Sequence, residues 1–157
     1  MTFGKQGIAR KAVQRAAVVL CGTATAAMLA GTPAFADAPA ISVDPASGLS
    51  DGQTVSVTGS GFLAGDAVAA VQCTRPADPH QISCDYADAG QSAADAGGGF
   101  SVHLKVRFAF DGIDPATGQP AGHVDCAAGC EIVAGSVANP ATYAAPAPIA
   151  FGAVALP

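Results

Sequence analysis

Four cysteines, Cys73, Cys84, Cys126 and Cys130, have the most decided chemistry in this chain. Thiols so placed either cross-link or hold a metal. Their spacing, C-x10-C followed by C-x3-C, is not that of a zinc ribbon, and disulfides are the better reading. Four cysteines allow three connectivities; the natural choice joins those close in sequence, Cys73 with Cys84 and Cys126 with Cys130. Two loops closed this way would each contribute about 2–4 kcal/mol. The other residues able to do chemistry are His80, His103 and His123 with their aspartate and serine neighbours. His123 precedes Val124-Asp125, which on a strand puts His123 and Asp125 on one face. A hydrolytic triad would also need a serine at an elbow, and no Gly-x-Ser-x-Gly or comparable motif occurs. The expectation is therefore a protein that is not an enzyme, with no metal and no built-in cofactor.

The elements that carry these residues begin after a processing segment. Lys5, Arg10, Lys11 and Arg15 form a basic region, and residues 16–30 are an alanine-rich apolar run, short and small-residued for a membrane anchor. Ala34-Phe35-Ala36 supplies the small residues that signal peptidase requires, so residues 1–36 read as a signal peptide cut before Asp37, with a cut after Ala38 as the alternative. The product is a secreted domain over residues 37–157, with no membrane insertion after processing, and it is expected to be a monomer. Cys21 leaves with the signal, and an exported chain keeping four cysteines belongs in an oxidising compartment. Only Arg75, Lys105 and Arg107 remain against twelve acidic residues, a net charge of −9. A domain so acidic has no basic groove for phosphates, which excludes direct tight binding to DNA or RNA.

Within residues 37–157 the plainest pattern is the alternation of Phe100, Val102, Leu104, Val106 and Phe108 with Ser101, His103, Lys105 and Arg107, a half-buried strand. Residues 95–99, Asp-Ala-Gly-Gly-Gly, precede it as a hairpin turn with positive-φ freedom. Weaker strands are expected at 41–43, 54–58, 67–73, 123–126, 131–133 and 148–151, separated by Gly-, Pro- and Asp-rich turns, with no helical periodicity. Such strands bury their apolar faces only when two sheets pack together, so the fold class is an all-β antiparallel, immunoglobulin-like sandwich. Residues 74–83, 110–122 and 135–147 are too long or too polar for simple hairpins, and recognition is expected on them.

Several segments, in order, resemble one family. They are Pro45-Ala-Ser-Gly-Leu-Ser-Asp-Gly52, Val71-Gln-Cys73, Leu104-Lys-Val-Arg107, Gly122-His-Val-Asp-Cys126 and Ile149-Ala-Phe-Gly152. The chain resembles the neocarzinostatin family of chromoprotein-antibiotic apoproteins. The resemblance implies a seven-stranded sandwich with two projecting ribbons and a cleft that holds an enediyne-type chromophore non-covalently. The partner would be that hydrophobic small molecule, with DNA reached only indirectly, through the released ligand.

By position, the resemblance assigns the cleft to Arg75 and Ile82 of the first loop, with Phe110, Ile113 and Gly135 around a floor made by the Cys73–Cys84 disulfide. Family clefts stack aromatic rings on the ligand, and here the pattern departs. Arg75 stands where a tryptophan is expected, Ile113 and Pro115 stand at the ribbon phenylalanines, and Tyr86 is the best match for the aromatic that follows the second cysteine of the first loop. The second disulfide loop encloses three residues, one fewer than usual. A secreted interaction or structural module that has lost the chromophore site is the alternative.

Overall fold

Short alternating segments, none able to bury its apolar side alone, are gathered into two antiparallel sheets in the computed structural model, which describes residues 38–152. The expected signal segment, residues 1–36, lies outside the described residues. The strands are β1 (Ala40–Asp44), β2 (Gln53–Ser60), β3 (Ala67–Thr74), β4 (Cys84–Ala93), β5 (Phe100–Val106), β6 (Ala109–Ile113), β7 (Pro120–Asp125), β8 (Cys130–Ser136) and β9 (Ala147–Ile149). The smaller sheet has the order β1-β2-β5 and the larger β7-β6-β4-β3-β8-β9.

The described residues thus contain nine strands rather than seven. The two that sequence patterning does not find are β4 and β6, for physical reasons. β4, Cys-Asp-Tyr-Ala-Asp-Ala-Gly-Gln-Ser-Ala, has almost no β-branched residues and is largely exposed. β6 is short and contains Asp111-Gly112, which reads as a turn; there the glycine is a packing device, since a Cβ on it would come within 2.8 Å of Ser83 Cβ.

Between the sheets, Val55, Val57, Leu104 and Val106 of the smaller face Val68, Ala70, Ile132 and Ala134 of the larger, all buried. Each fully buried aliphatic of this size contributes about 1.5–3 kcal/mol. Phe62 and Phe100 close one end of the core edge-to-face, centroids 5.3 Å apart. At the hairpin leading into β5, the Asp95 carboxylate accepts N–H bonds from Gly97 and Gly99 at 2.8 and 2.9 Å. The Gly99 bond, then the Gly97 bond, holds this carboxyl below its usual range. Gly98 adopts φ 77°, and a side chain there would run into the Phe62 carbonyl. The segment Pro45 to Gly52 works similarly: Gly48 and Gly52 take positive φ and drop Leu49, 2 % exposed, into the core beside Phe151.

β5 stops at Val106, two residues before its alternating pattern ends. The cause is Gln72, 1 % exposed, whose amide grips the Arg107 backbone from both sides. Its Nε2 donates to the Arg107 carbonyl at 2.6 Å, while Arg107 N–H donates to its Oε1 at 2.8 Å. A peptide clamped this way cannot also pair in a ladder, and Phe108 N–H turns to the Asp51 carboxylate at 2.8 Å.

Candidate functional site

Alternation along β3 sends Val68, Ala70 and Gln72 inward, leaving Ala69, Val71 and Cys73 on the outer face of the larger sheet. In β8 the outer partners are Gly135 beside Ala69, Val133 beside Val71 and Glu131 beside Cys73. The Cys73–Cys84 disulfide forms, and its register extends to both sides. Pro120, Ile113, Cys84, Cys73, Glu131 and Pro148 stand side by side across all six strands of this sheet. Both half-cystines are buried and lie outside the core cluster. Cys126 and Cys130 are also joined, at the turn between β7 and β8.

Of the residues expected at the cleft, Ile113 sits in the disulfide row, and Gly135 sits two residues along β8 from Val133 on the same face. Arg75 lies just beyond β3, half exposed, with its guanidinium Nε 3.3 Å from Glu131 Oε2. Burial raises the Glu131 carboxyl, and Arg75 partly offsets this. Ile82 walls a hollow of ≈ 330 Å³ with His80, Asp114 and Val124, whose further lining residues Ser83 and Ala121 are chain neighbours of Cys84 and Pro120 in the disulfide row. Phe110 is not brought to the outer face. It is 4 % exposed and belongs to the core, because it alternates with Ala109 and Asp111, which face the other way.

Two aromatics occupy the outer face, Tyr86, matched by the resemblance, and Tyr143, which it does not assign. Tyr86, two residues after Cys84, is 50 % exposed where β4 bulges between its two pairings with β3. Tyr143 is 62 % exposed and bridges Gly135 directly. The missing side chain at Gly135 makes room for it: a Cβ there would lie 3.3 Å from Tyr143 Cβ. Tyr143 lies on the far side of β8 from β3, so the tyrosines are three strand spacings apart across the sheet, about 14 Å in that direction, and are further offset along the strands. The floor between them is Ala69, Val71, Val133 and Gly135. Arg107, on the opposite side of the clamp from Gln72, reaches back to Asp88 in the bulge and pairs with it through Nε. That pair ties the Tyr86 segment to the end of β5. Tyr143, in an aperiodic stretch, has no sequence signal beyond its ring.

The histidines do not converge. His80 is exposed in a single 3₁₀ turn, Pro79–Gln81, and His103 points outward from β5 as its pattern predicts. His123 meets Asp111 across the β6–β7 ribbon, Nδ1 to Oδ1 3.2 Å, whereas Asp125 accepts the Ala127 N–H at 2.9 Å. His123 and Asp125 therefore do not act as a pair. Among the described residues, no group of three His, Cys, Asp or Glu side chains is placed to hold a metal ion.

The geometry has relatives. Residues 41–151 match the family model described as the neocarzinostatin family. The antitumor antibiotic C-1027 apoprotein of Streptomyces globisporus is 46 % identical over 121 residues, which are 76 % of this chain and 80 % of that protein. Actinoxanthin, also of Streptomyces globisporus, is 45 % identical over the same shares. Among solved structures, macromomycin superposes with a TM-score of 0.63 at 36 % identity, covering 73 % of this chain and 99 % of that one.

Proposed function

The chain belongs to the neocarzinostatin family, and from that premise we propose that it is a secreted carrier apoprotein, holding an enediyne-type chromophore against the outer face of the larger sheet. The chromophore is bound non-covalently, protected there, and acts on DNA after release. The observation that carries this reading is the pairing of two exposed tyrosines with an aliphatic floor between them. A flat apolar ligand laid on Ala69, Val71, Val133 and Gly135 loses its water to that floor and meets a ring at either side. Each stacked ring adds about 0.5–1.5 kcal/mol beyond area burial. At one end the Arg75–Glu131 pair presents a planar cation that either stacks on the ligand or meets its polar edge. The protein acts by holding, without a catalytic residue. Its net charge of −9 after processing at Ala36 keeps DNA contact a property of the ligand alone.

Native mass spectrometry with an absorption spectrum, on protein secreted by its own producer, tests the proposal. A bound mass with absorption beyond the protein band is expected. A second measurement uses the chain's two tyrosines and lack of tryptophan: tyrosine emission comes from Tyr86 and Tyr143 alone, so a ligand on this face quenches it. Polypeptide mass alone, together with no quenching of the refolded protein by flat aromatic esters, would remove the carrier reading. The interaction-module alternative draws on Arg75 in the expected aromatic position, and would be favoured by that negative result together with a crosslinked protein partner.

A further inference from the structure

The turn of residues 45–52 and the chain beyond β9 are laced together at the edge of the core. Leu49 N–H donates to the Ala150 carbonyl at 3.1 Å and Gly152 N–H to the Leu49 carbonyl at 2.8 Å, a parallel bridge between Leu49 and Phe151. Ala150 N–H closes the lacing on the Ala46 carbonyl at 2.9 Å. A third segment joins where β5 has ended: Phe108 docks beside Phe151, ring centroids 5.6 Å apart and planes at 87°. Among these segments lies a hollow of ≈ 390 Å³ walled by Leu49, Asp51, Phe108 and Phe151, and completed by Gly48 and Gly152. Ligand sites begin at about 300 Å³.

The groups that line it can be reached. Both phenylalanines are half-buried, packed against the core from outside it, and Asp51 is exposed. A side chain at Gly48 would meet no atom within 4 Å, so the turn leaves this space open. The Asp51 carboxylate is fixed at the hollow by its own bond: Oδ1 accepts the Phe108 N–H at 2.8 Å, which sets the acid against the backbone that carries one of the rings. Its other oxygen takes no hydrogen bond from the described residues. Neighbouring donors are engaged, Leu49 and Gly152 in the bridge and Ser50 N–H on the Gln53 amide oxygen at 2.9 Å. The hollow thus offers ring surface and an acceptor in want of a donor.

Its complement is an aromatic ring bearing a donor. A third ring extends the edge-to-face pair, which an aliphatic ligand cannot do. The charge of the donor follows from Arg107, next in the chain to Phe108, whose guanidinium is held protonated first by Asp88 and to a lesser degree by Asp51. A ligand cation on Asp51 would meet that guanidinium's field. A neutral hydroxyl gains a bond to an ionised acceptor without the repulsion.

We infer that the hollow between Leu49, Phe108 and Phe151 is a binding site for a small phenol, whose ring packs on the two phenylalanines and whose hydroxyl donates to the Asp51 carboxylate. The site shares no residue with the tyrosine-flanked face, and stands whether or not that face holds a chromophore.

The test is a titration of the disulfide-bonded protein with phenol at neutral pH, where the hydroxyl keeps its proton, followed by amide ¹H–¹⁵N shifts. Saturable shifts centred on Leu49, Asp51, Phe108 and Gly152 are expected. Anisole keeps the ring and loses the donor; Asp51→Asn keeps an acceptor for Phe108 N–H and loses the charge. Each should weaken binding about tenfold or more. Cyclohexanol, a donor without an aromatic ring, should bind about 2–12-fold more weakly than phenol. Equal binding of anisole or cyclohexanol, or unchanged binding by Asp51→Asn, would overturn the inference. Benzylammonium binding more tightly than phenol at these residues would assign the hollow to cations and overturn it too. So would shifts confined to Ala69, Val133 and Gly135, which would place phenol on the tyrosine-flanked face, or the absence of any saturable shift. Leu156→Ser, in the apolar stretch that follows Gly152, should leave phenol binding unchanged; a gain of about tenfold would make that stretch the occupant instead. The comparisons among ligands use the unmodified protein and decide the matter even if Asp51→Asn folds poorly.

Discussion

Replacing Gln72 by leucine removes the clamp on Arg107 at nearly constant volume, so its cost isolates the hydrogen bonds. Two bonds to the Arg107 backbone are lost, 2.6 and 2.8 Å long in the native protein, together with a contact from Nε2 to Cys126 Sγ at 3.1 Å. Two backbone bonds at about 1 kcal/mol each set a lower figure of about 2 kcal/mol. If the orphaned N–H and C=O stay sealed from water, each costs about 1–3 kcal/mol instead, an upper figure of about 6. Arg107 is partly exposed, so water reaches one side, and about 3 kcal/mol is the expected loss. In a domain of this size that lowers Tm by on the order of 10–15 °C. The assay is reversible urea unfolding with the disulfides intact. Gln72→Glu sharpens it, because Gln72 pairs in register with Asp85. The glutamate keeps an acceptor for Arg107 N–H, loses the donor, and sets a second carboxylate beside a buried one. Its penalty should therefore be larger at neutral pH than near pH 4, about where carboxylates become protonated. A Gln72→Leu protein within about 1 kcal/mol of the parent, or a Gln72→Glu penalty independent of pH, would refute the clamp.

Four further outcomes are expected. Tyr86→Ala and Tyr143→Ala should each weaken uptake of a flat aromatic ligand by about 2–12-fold, read from quenching of the remaining tyrosine. Removing Cys126–Cys130, with a separation of 4, should cost about 2 kcal/mol, and removing Cys73–Cys84, with a separation of 11, about 3 kcal/mol, in urea unfolding of the double alanine variants. Asp85 has its folded pKa raised by burial, so its ionisation erodes stability as pH rises past the ordinary carboxylate value; the stability of Asp85→Asn relative to the parent should grow as pH rises through and above that value in thermal melts. Asp95 is the opposite case, its carboxyl lowered by the Gly99 and Gly97 N–H bonds; Asp95→Ala should lose stability at neutral pH, with a penalty that shrinks as pH falls through the folded Asp95 value.

How far the fold was legible follows from which signals are local. Alternation from Phe100 to Val106 and the Asp95–Gly99 turn are readable because strand period and positive φ are properties of neighbouring residues. The end of β5 was not, since it depends on Gln72, separated from Arg107 by 35 positions. β4 escaped because half its length is exposed and none of its ten residues is β-branched. For the candidate site, family position placed Ile113 and Gly135 on the outer face, while alternation turned Phe110 inward. Tyr143 was invisible because a single bridge to Gly135 seats it.

The strand order β7-β6-β4-β3-β8-β9 also bears on how the chain reaches this state. β3 meets β4 through a local connection, but its other edge waits for β8, which begins at Cys130. Until then Val68 and Val71 lie along an unpaired edge able to join another chain. Pairings of such long sequence separation place the domain among slow folders, and association through the open edge is the hazard of that interval. An early Cys73–Cys84 cross-link would hold β3 to β4 through that interval, leaving one edge instead of two for a stray neighbour to find.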